Sequence, residues 1–348
     1  MATIYKNLNN NDMVSTRTLL HEAIPVTGTL VSGTYGTSNI KNYSHGRFQS
    51  VYDYPVASSS ANHIFDLSVG LAPDSGLSSS GVTDLTKKIQ TYNQMAQILV
   101  GHDLTGSILR FDEDGDLIAA GTKLKEVVFV NFSRLLTKDE IKKGSFELKV
   151  GVGASGTPFL TTASLADTGA QNDYRVNSPA GEYGILYSGA DKRGLVFYQA
   201  GIAVITASVF ATNTFSGSNN IGPALQTSSI EGVCDTFRTR WSNCNFNNTT
   251  ELNSTIYFCR INHNEFNYSS NPTYLSESQI RVKETNVDAP VSYITTVGLY
   301  SSANELLAVA KLSEPLKKDP TNEMILRVRL DYWSKKETKC SLLVCIRL

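Results

Sequence analysis

Tyr293 to Tyr332 reads YITTVGLYSSANELLAVAKLSEPLKKDPTNEMILRVRLDY. Tyr293 to Tyr300 is an apolar run rich in β-branched and aromatic residues, and Ser301 to Asn304 is a polar break. Leu306 to Leu312 is a second apolar run. A charged loop with Pro315 and Pro320 follows, and Met324 to Tyr332 then alternates apolar and polar residues. Three short runs with period-two patterning, separated by turn residues, predict three strands in a β-meander. The stretch holds no acid, base, nucleophile or ligand cluster, so its chemistry is burial and pairing.

The rest of the chain reads the same way. Hydrophobic residues make up 41% of the 348 residues and charged ones only 18%. Ser, Thr, Asn and Gly are abundant, a mix suited to sheet faces and turns. The expected class is mainly β, all-β to α+β, with sandwich-like sheets and a few short helices. Net charge is −1, which gives no whole-chain footprint for nucleic acid. A local basic cluster remains at Lys335, Lys336, Lys339 and Arg347. The start, MATIYKNLNNND, lacks the apolar segment of a signal peptide, and no apolar run approaches the roughly 20 residues of a membrane span. The five cysteines, Cys234, Cys244, Cys259, Cys340 and Cys345, are an odd count that reads as free thiols.

Four segments are expected. Residues 1–25 form an N-terminal arm with a short helix through Leu19, Leu20 and Ala23 that ends before Pro25. Residues 26–150 form a β-rich domain. There GTLVSGTY (28–35), HIFDLSVGLA (63–72), EVVFVNF (126–132) and SFELKVGV (145–152) are strands, and TKDEIKKG (137–144) is a helical turn. Its clearest helix lies at 82–100, where Val82, Leu85, Ile89, Tyr92, Ala96 and Leu99 share one face and Thr83 or Asp84 caps the start. Residues 151–265 form a β-rich central region with long loops, and 266–348 a C-terminal meander domain ending in the strand KCSLLVCIRL.

The phrases ITTVGLY (294–300), NELLAVAKLSEPLKK (304–318) and RVRLDY (327–332), with FNYSSNPTYL (266–275) upstream, resemble the C-terminal part of virion structural proteins of marine tailed bacteriophages (cyanophage-like). The VGLY…ELLAVAK hairpin is similar to a segment of phage tail-collar and tail-fibre proteins. The resemblance is strongest over Phe266 to Tyr332, about a fifth of the chain, and weaker at NFSRLLTKDEIKKGSFELKV (131–150). It implies a particle component and brings no catalytic motif, so no functional residue is carried over. It implies a tail or baseplate subunit that forms a homo-oligomer, a ring or trimer, with other tail or neck proteins. The expected location is the virion, assembled in a host cytoplasm, with no membrane and no nucleic acid as partner. A neck or head-associated place is the alternative of the same class. A receptor- or glycan-binding tail-fibre module is the rival, marked by tyrosines and carboxylates converging in an exposed groove.

Sites for chemistry are few, and no enzyme and no cofactor are expected. Cys234, Cys244, Cys259 and His263 are the metal candidates. Cys259 and His263 have ligand-like spacing, but no CxxC knuckle accompanies them, and packed thiols are the default. DEDGD (112–116) fits a hairpin turn better than a calcium loop, because glycine falls at position 4 and Lys123 at position 12. GVGASG (151–156) matches a dinucleotide glycine pattern without the βαβ context. No G-x-S-x-G elbow occurs.

Overall fold

The computed structural model describes residues 5–79, 81–118, 120–152, 161–210, 221–268, 275–276, 279–280, 290–301, 303–332 and 343–347. In chain order, β1 is Tyr5–Asn7, β2 Met13–Thr27, α1 Gly28–Ser32, β3 Ile40–Asn42, β4 Gln49–Tyr52 and β5 His63–Leu71. Then come α2 (Leu85–Leu99), β6 (Glu126–Phe132), α3 (Arg134–Thr137), β7 (Glu140–Ile141), β8 (Glu147–Gly151) and β9 (Thr162–Ala166). β10 (Tyr183–Ser188), β11 (Asp191–Phe197) and β12 (Ile202–Thr206) precede α4 (Ile221–Thr227), α5 (Ile230–Thr239) and β13 (Trp241–Ile261). β14 (Leu275–Ser276), β15 (Gln279–Ile280), β16 (Ser292–Tyr300), β17 (Leu306–Lys318), β18 (Met324–Tyr332) and β19 (Leu343–Arg347) complete the set. The fold is mainly β, with extensive antiparallel sheets and a few short helices, as the composition and patterning predict.

The chain divides into two compact units, Leu20–Thr250 and, from both ends of the sequence, Met1–Leu19 with Glu251–Leu348. The expected segment 26–150 and most of 151–265 thus share the first of these.

In the central unit the strands run in the order β8-β9-β10-β11-β12-β6-β5-β4-β3, every neighbour antiparallel. Strand alternation sends side chains to two separate cores. On β6, Val128, Val130 and Phe132 face one core with Phe65, Leu67, Trp241 and α5 residues Val233 and Phe237. Val127 and Phe129 face the other with Tyr92, Ala96 and Leu99 of α2. β6 is therefore buried on both faces, which is why EVVFVNF reads as a nearly unbroken apolar run. The first core is closed by rings: Phe65 stacks on Trp241 at 4.8 Å, and Phe132 meets Phe246 at 5.0 Å. Gly70 lets α2 lie close to the sheet, because a Cβ there would stand 2.8 Å from the Phe129 ring and 3.0 Å from Tyr92.

The terminal unit is a small sandwich. One sheet has the order β1-β19-β16-β17. The facing layer pairs β18 with Asn253–Ile261 of β13. Tyr257, Cys259 and Ile261 meet Ile294, Val297, Leu299 and Leu326 between them.

Several expectations are corrected. The three strands of Tyr293–Tyr332 form, but not as a meander. β17 pairs with β16, whereas β18 crosses to the other layer and pairs with β13 from Ile261↔Met324 to Asn253↔Tyr332. Alternation fixes which face a strand buries, not which neighbour it takes. The N-terminal helix is instead β2, paired to β13, where Ser15 meets Thr255 across 2.9 Å. Pro25 fits because β2 has one partner strand, β13, among the described residues.

GTLVSGTY is no strand: Gly28–Ser32 makes one helical turn. Its last carbonyls are taken by distant donors, Asn39 to Leu30 at 3.0 Å and Arg238 to Val31 at 3.1 Å. The helical turn near TKDEIKKG lies earlier, at Arg134–Thr137, where the Ser133 side chain accepts from the Leu135 amide. The helix at 82–100 is α2. Helix α5, unforeseen, had a legible signal: Ser229 caps it, and Ile230, Val233, Cys234 and Phe237 form its buried face. Among the described residues no helix is long and apolar enough to cross a membrane.

Candidate functional site

The metal candidates do not come together. Cys234 on α5 and Cys244 on β13 are fully buried in the central unit's first core. Cys259 is buried in the core of the terminal unit. His263 is exposed and pairs with Glu323 at 3.2 Å. Burial pushes all three thiols up from the ordinary thiol value, Cys259 to about 11. A protonated thiol is neither a nucleophile nor a ligand at neutral pH. Among the described residues no group of three or more His, Cys, Asp or Glu is placed to hold a metal ion.

The acidic turn is a closed polar knot. Asp112 is fully buried, and the Lys123 ammonium sits 2.5 Å from it, where a cation would bind. Asp114 pairs with Lys192. Burial raises the Asp112 pKa, and Lys123 opposes that shift. The backbone closes like the expected hairpin, with Leu124 N–H donating to Phe111 O at 2.9 Å. Residues 153–156 of GVGASG, and the basic residues Lys335, Lys336 and Lys339, lie outside the described residues, as does Cys340.

One cluster resembles the start of a relay. His63 Nε2 and the Ser50 hydroxyl both bond Asp66 Oδ1, at 2.7 and 2.5 Å. Both contacts fall on the same oxygen, so the imidazole does not stand between hydroxyl and acid as nucleophile activation requires. Tyr43 joins through Ser50 at 3.3 Å, and Tyr52 packs edge-on to His63 at 5.6 Å. Tyrosines and a carboxylate converge here, and their polar groups are spent on each other. The hydrogen bond from Asp66 raises the His63 pKa against the opposing effect of burial.

A cavity of about 420 Å³ in the terminal unit is lined by Lys6, Asn9, Asp12, Cys259, Arg260 and Asn262. Its two cations are already paired, Lys6 with Glu265 at 2.6 Å and Arg260 with Asp12 at 3.0 Å.

The features that stand out are edges. β2 and β17, 15 and 13 residues long, each have a single partner strand among the described residues. Both are exposed along most of their length. On β17, Leu306, Leu307 and Val309 are 53%, 54% and 57% exposed. On β18, Ile325 is also exposed. An edge strand presents unpaired N–H and C=O groups, a template for another strand. Pro25 in β2 and Pro315 in β17 are residues that an interior strand excludes, whereas Leu306 to Leu312 carries no such mark. The candidate site is therefore this pair of exposed strands. No family model, no curated protein and no solved structure matches this chain.

Proposed function

We propose that this chain is a non-enzymatic structural subunit of a tailed-phage virion, in the tail or baseplate. It works by assembly with copies of itself, in a ring or trimer, and with neighbouring tail or neck proteins. The observation that carries the assembly part is the exposure of β2 and β17. Fixing one residue's backbone costs about 1–2 kcal/mol, which burial and pairing must offset. These strands bury little within their own chain, and a neighbouring subunit supplies the missing surface. Closed symmetry is the usual way for such surfaces to be used up. The phage part rests on the wording of Phe266 to Tyr332, and a neck or head-associated place remains the alternative within the class.

The test is peptide mass spectrometry and cryo-electron microscopy of purified intact particles of the virus encoding this chain. Stoichiometric peptides and density with closed symmetry at the tail support the proposal. Recovery of the chain only from the particle-free fraction overturns it.

A further inference from the structure

We infer that β17 pairs antiparallel with β17 of a second copy, centred on Ala308, joining two four-stranded sheets into one. This rests on the assembly reading and names the partner of that surface.

The argument begins with which edges are defended. Natural edges are blunted by charge, proline and irregularity. The second half of β17 has all three: Glu314 and Lys317 flank Pro315, and the register with β16 slips between Ile294 and Thr296. β18 carries Arg327 and Arg329 at its middle, so self-pairing there sets arginine against arginine. β2 carries Arg17, His21, Glu22 and Pro25. The undefended edge is Leu306 to Leu312, with one charge and no proline in seven residues.

That segment is complementary to itself. In an antiparallel pair centred on Ala308, Leu307 lies opposite Val309 on the exposed face. Glu305 lies opposite Lys311, and the two-fold axis repeats each pair. Leu307 and Val309 are more than half exposed, and Glu305 and Lys311 are exposed. Neither charge has an ion-pair partner among the described residues. The register slip between Leu299 and Tyr300 turns Leu306 and Leu307 outward together and leaves Glu305 at the mouth of the strand. Ala308 and Leu312 keep their inward packing, so the pairing leaves the sandwich core unchanged. Opposite charges and opposed aliphatics across strands each favour a register, and like charges oppose it. A single strand pairing is small, at the weak end of protein interfaces. Being two-fold, it joins copies in pairs and so links one ring or trimer to another rather than neighbours within one.

The experiment is sedimentation of the full chain over a concentration series, for wild type, Glu305→Lys, Lys311→Glu and the double swap. The expected result is a reversible dimer in wild type, weakened roughly tenfold by either single reversal and restored by the double swap. Register is read separately by oxidising a mixture of Leu307→Cys and Val309→Cys chains. Directly opposite Cβ atoms stand about 4.5–5.5 Å apart, so the mixed disulfide forms faster than either self-linked one. Cross-linking keeps the inference testable even where a charge variant folds poorly. Single reversals without effect, a double swap that fails to restore, or no preference for the mixed disulfide each overturn it. A chain that oligomerises yet ignores these changes leaves assembly standing and removes this contact. A chain that is monomeric throughout removes the contact, while the particle analysis decides the assembly reading independently.

Discussion

The two units solve the problem of burying a sheet differently. The central unit covers both faces of its middle strands, with α5, Trp241 and Phe246 on one side and α2 on the other. Among the described residues the terminal unit has one core cluster of seven buried side chains, and β17 is exposed along most of its length. The first can be stable alone on its own packing. The second presents, in Leu306 to Leu312, an exposed and nearly uncharged strand. On the proposed reading, packing in the central unit supplies stability and this strand supplies recognition.

The largest test of that contrast is in the ring cluster of the central unit. Trp241→Ala removes the stack on Phe65, the edge contact with Phe237 at 6.1 Å, and the Nε1–H bond to Val26 O at 3.0 Å. It should cost about 3–5 kcal/mol, read from denaturant midpoints. In the terminal unit, Ile294→Ala should cost about 2–4 kcal/mol and, in calorimetry, shift only the earlier of two transitions. One transition moved as a whole by both variants would show that the units do not melt separately, and the contrast would fail.

Lys88 sharpens the picture of the central unit. Its side chain is fully buried and donates to the carbonyls of Thr83, Leu225 and Ser228 at 2.8, 2.6 and 2.8 Å. Lys88→Met strands those acceptors and should cost about 1–3 kcal/mol. Burial lowers the Lys88 pKa to about 8. The unfolded chain then holds more protons between about 8 and the usual 10.5 for this group, so the Lys88 contribution to stability rises with pH through that window. Denaturation of wild type and Lys88→Met from neutral to alkaline pH checks the sign. The smallest effect belongs to His63, whose pKa Asp66 raises. Its stabilisation is full below the ordinary histidine value and is lost as pH climbs through the folded one. Asp66→Asn should flatten that slope, as followed by histidine proton resonances.

How much of this was legible follows from the kind of information each element needs. α2, β5, β6 and β8 declare themselves through local pattern, because each is decided by the face it buries. β2 misled because Leu19, Leu20 and Ala23 have helical spacing, and only the partner β13 makes extension favourable. α1 exists because Asn39 and Arg238 reach its carbonyls from far along the chain. α5 was readable from Ser229 and its apolar face and was passed over amid amide-rich sequence. The thiols looked like a ligand set in one dimension, and topology sent two to one core and one to another. The exposed edge at Leu306 to Leu312 is the least legible feature, since LLAVAKL reads alike in an edge strand and in an interior one.

Residue-resolved hydrogen exchange on the purified chain, dilute and then assembled, tests the central claim most directly. The account predicts that amides of β2 and of the outer side of β17 exchange orders of magnitude faster than those of β5, β6 and β12 in the dilute chain. It predicts that they become protected on assembly while the central sheet is unchanged. β2 and β17 as strongly protected as β6 in the dilute chain would contradict it, because a strand already secured by its own chain has no need of a neighbour.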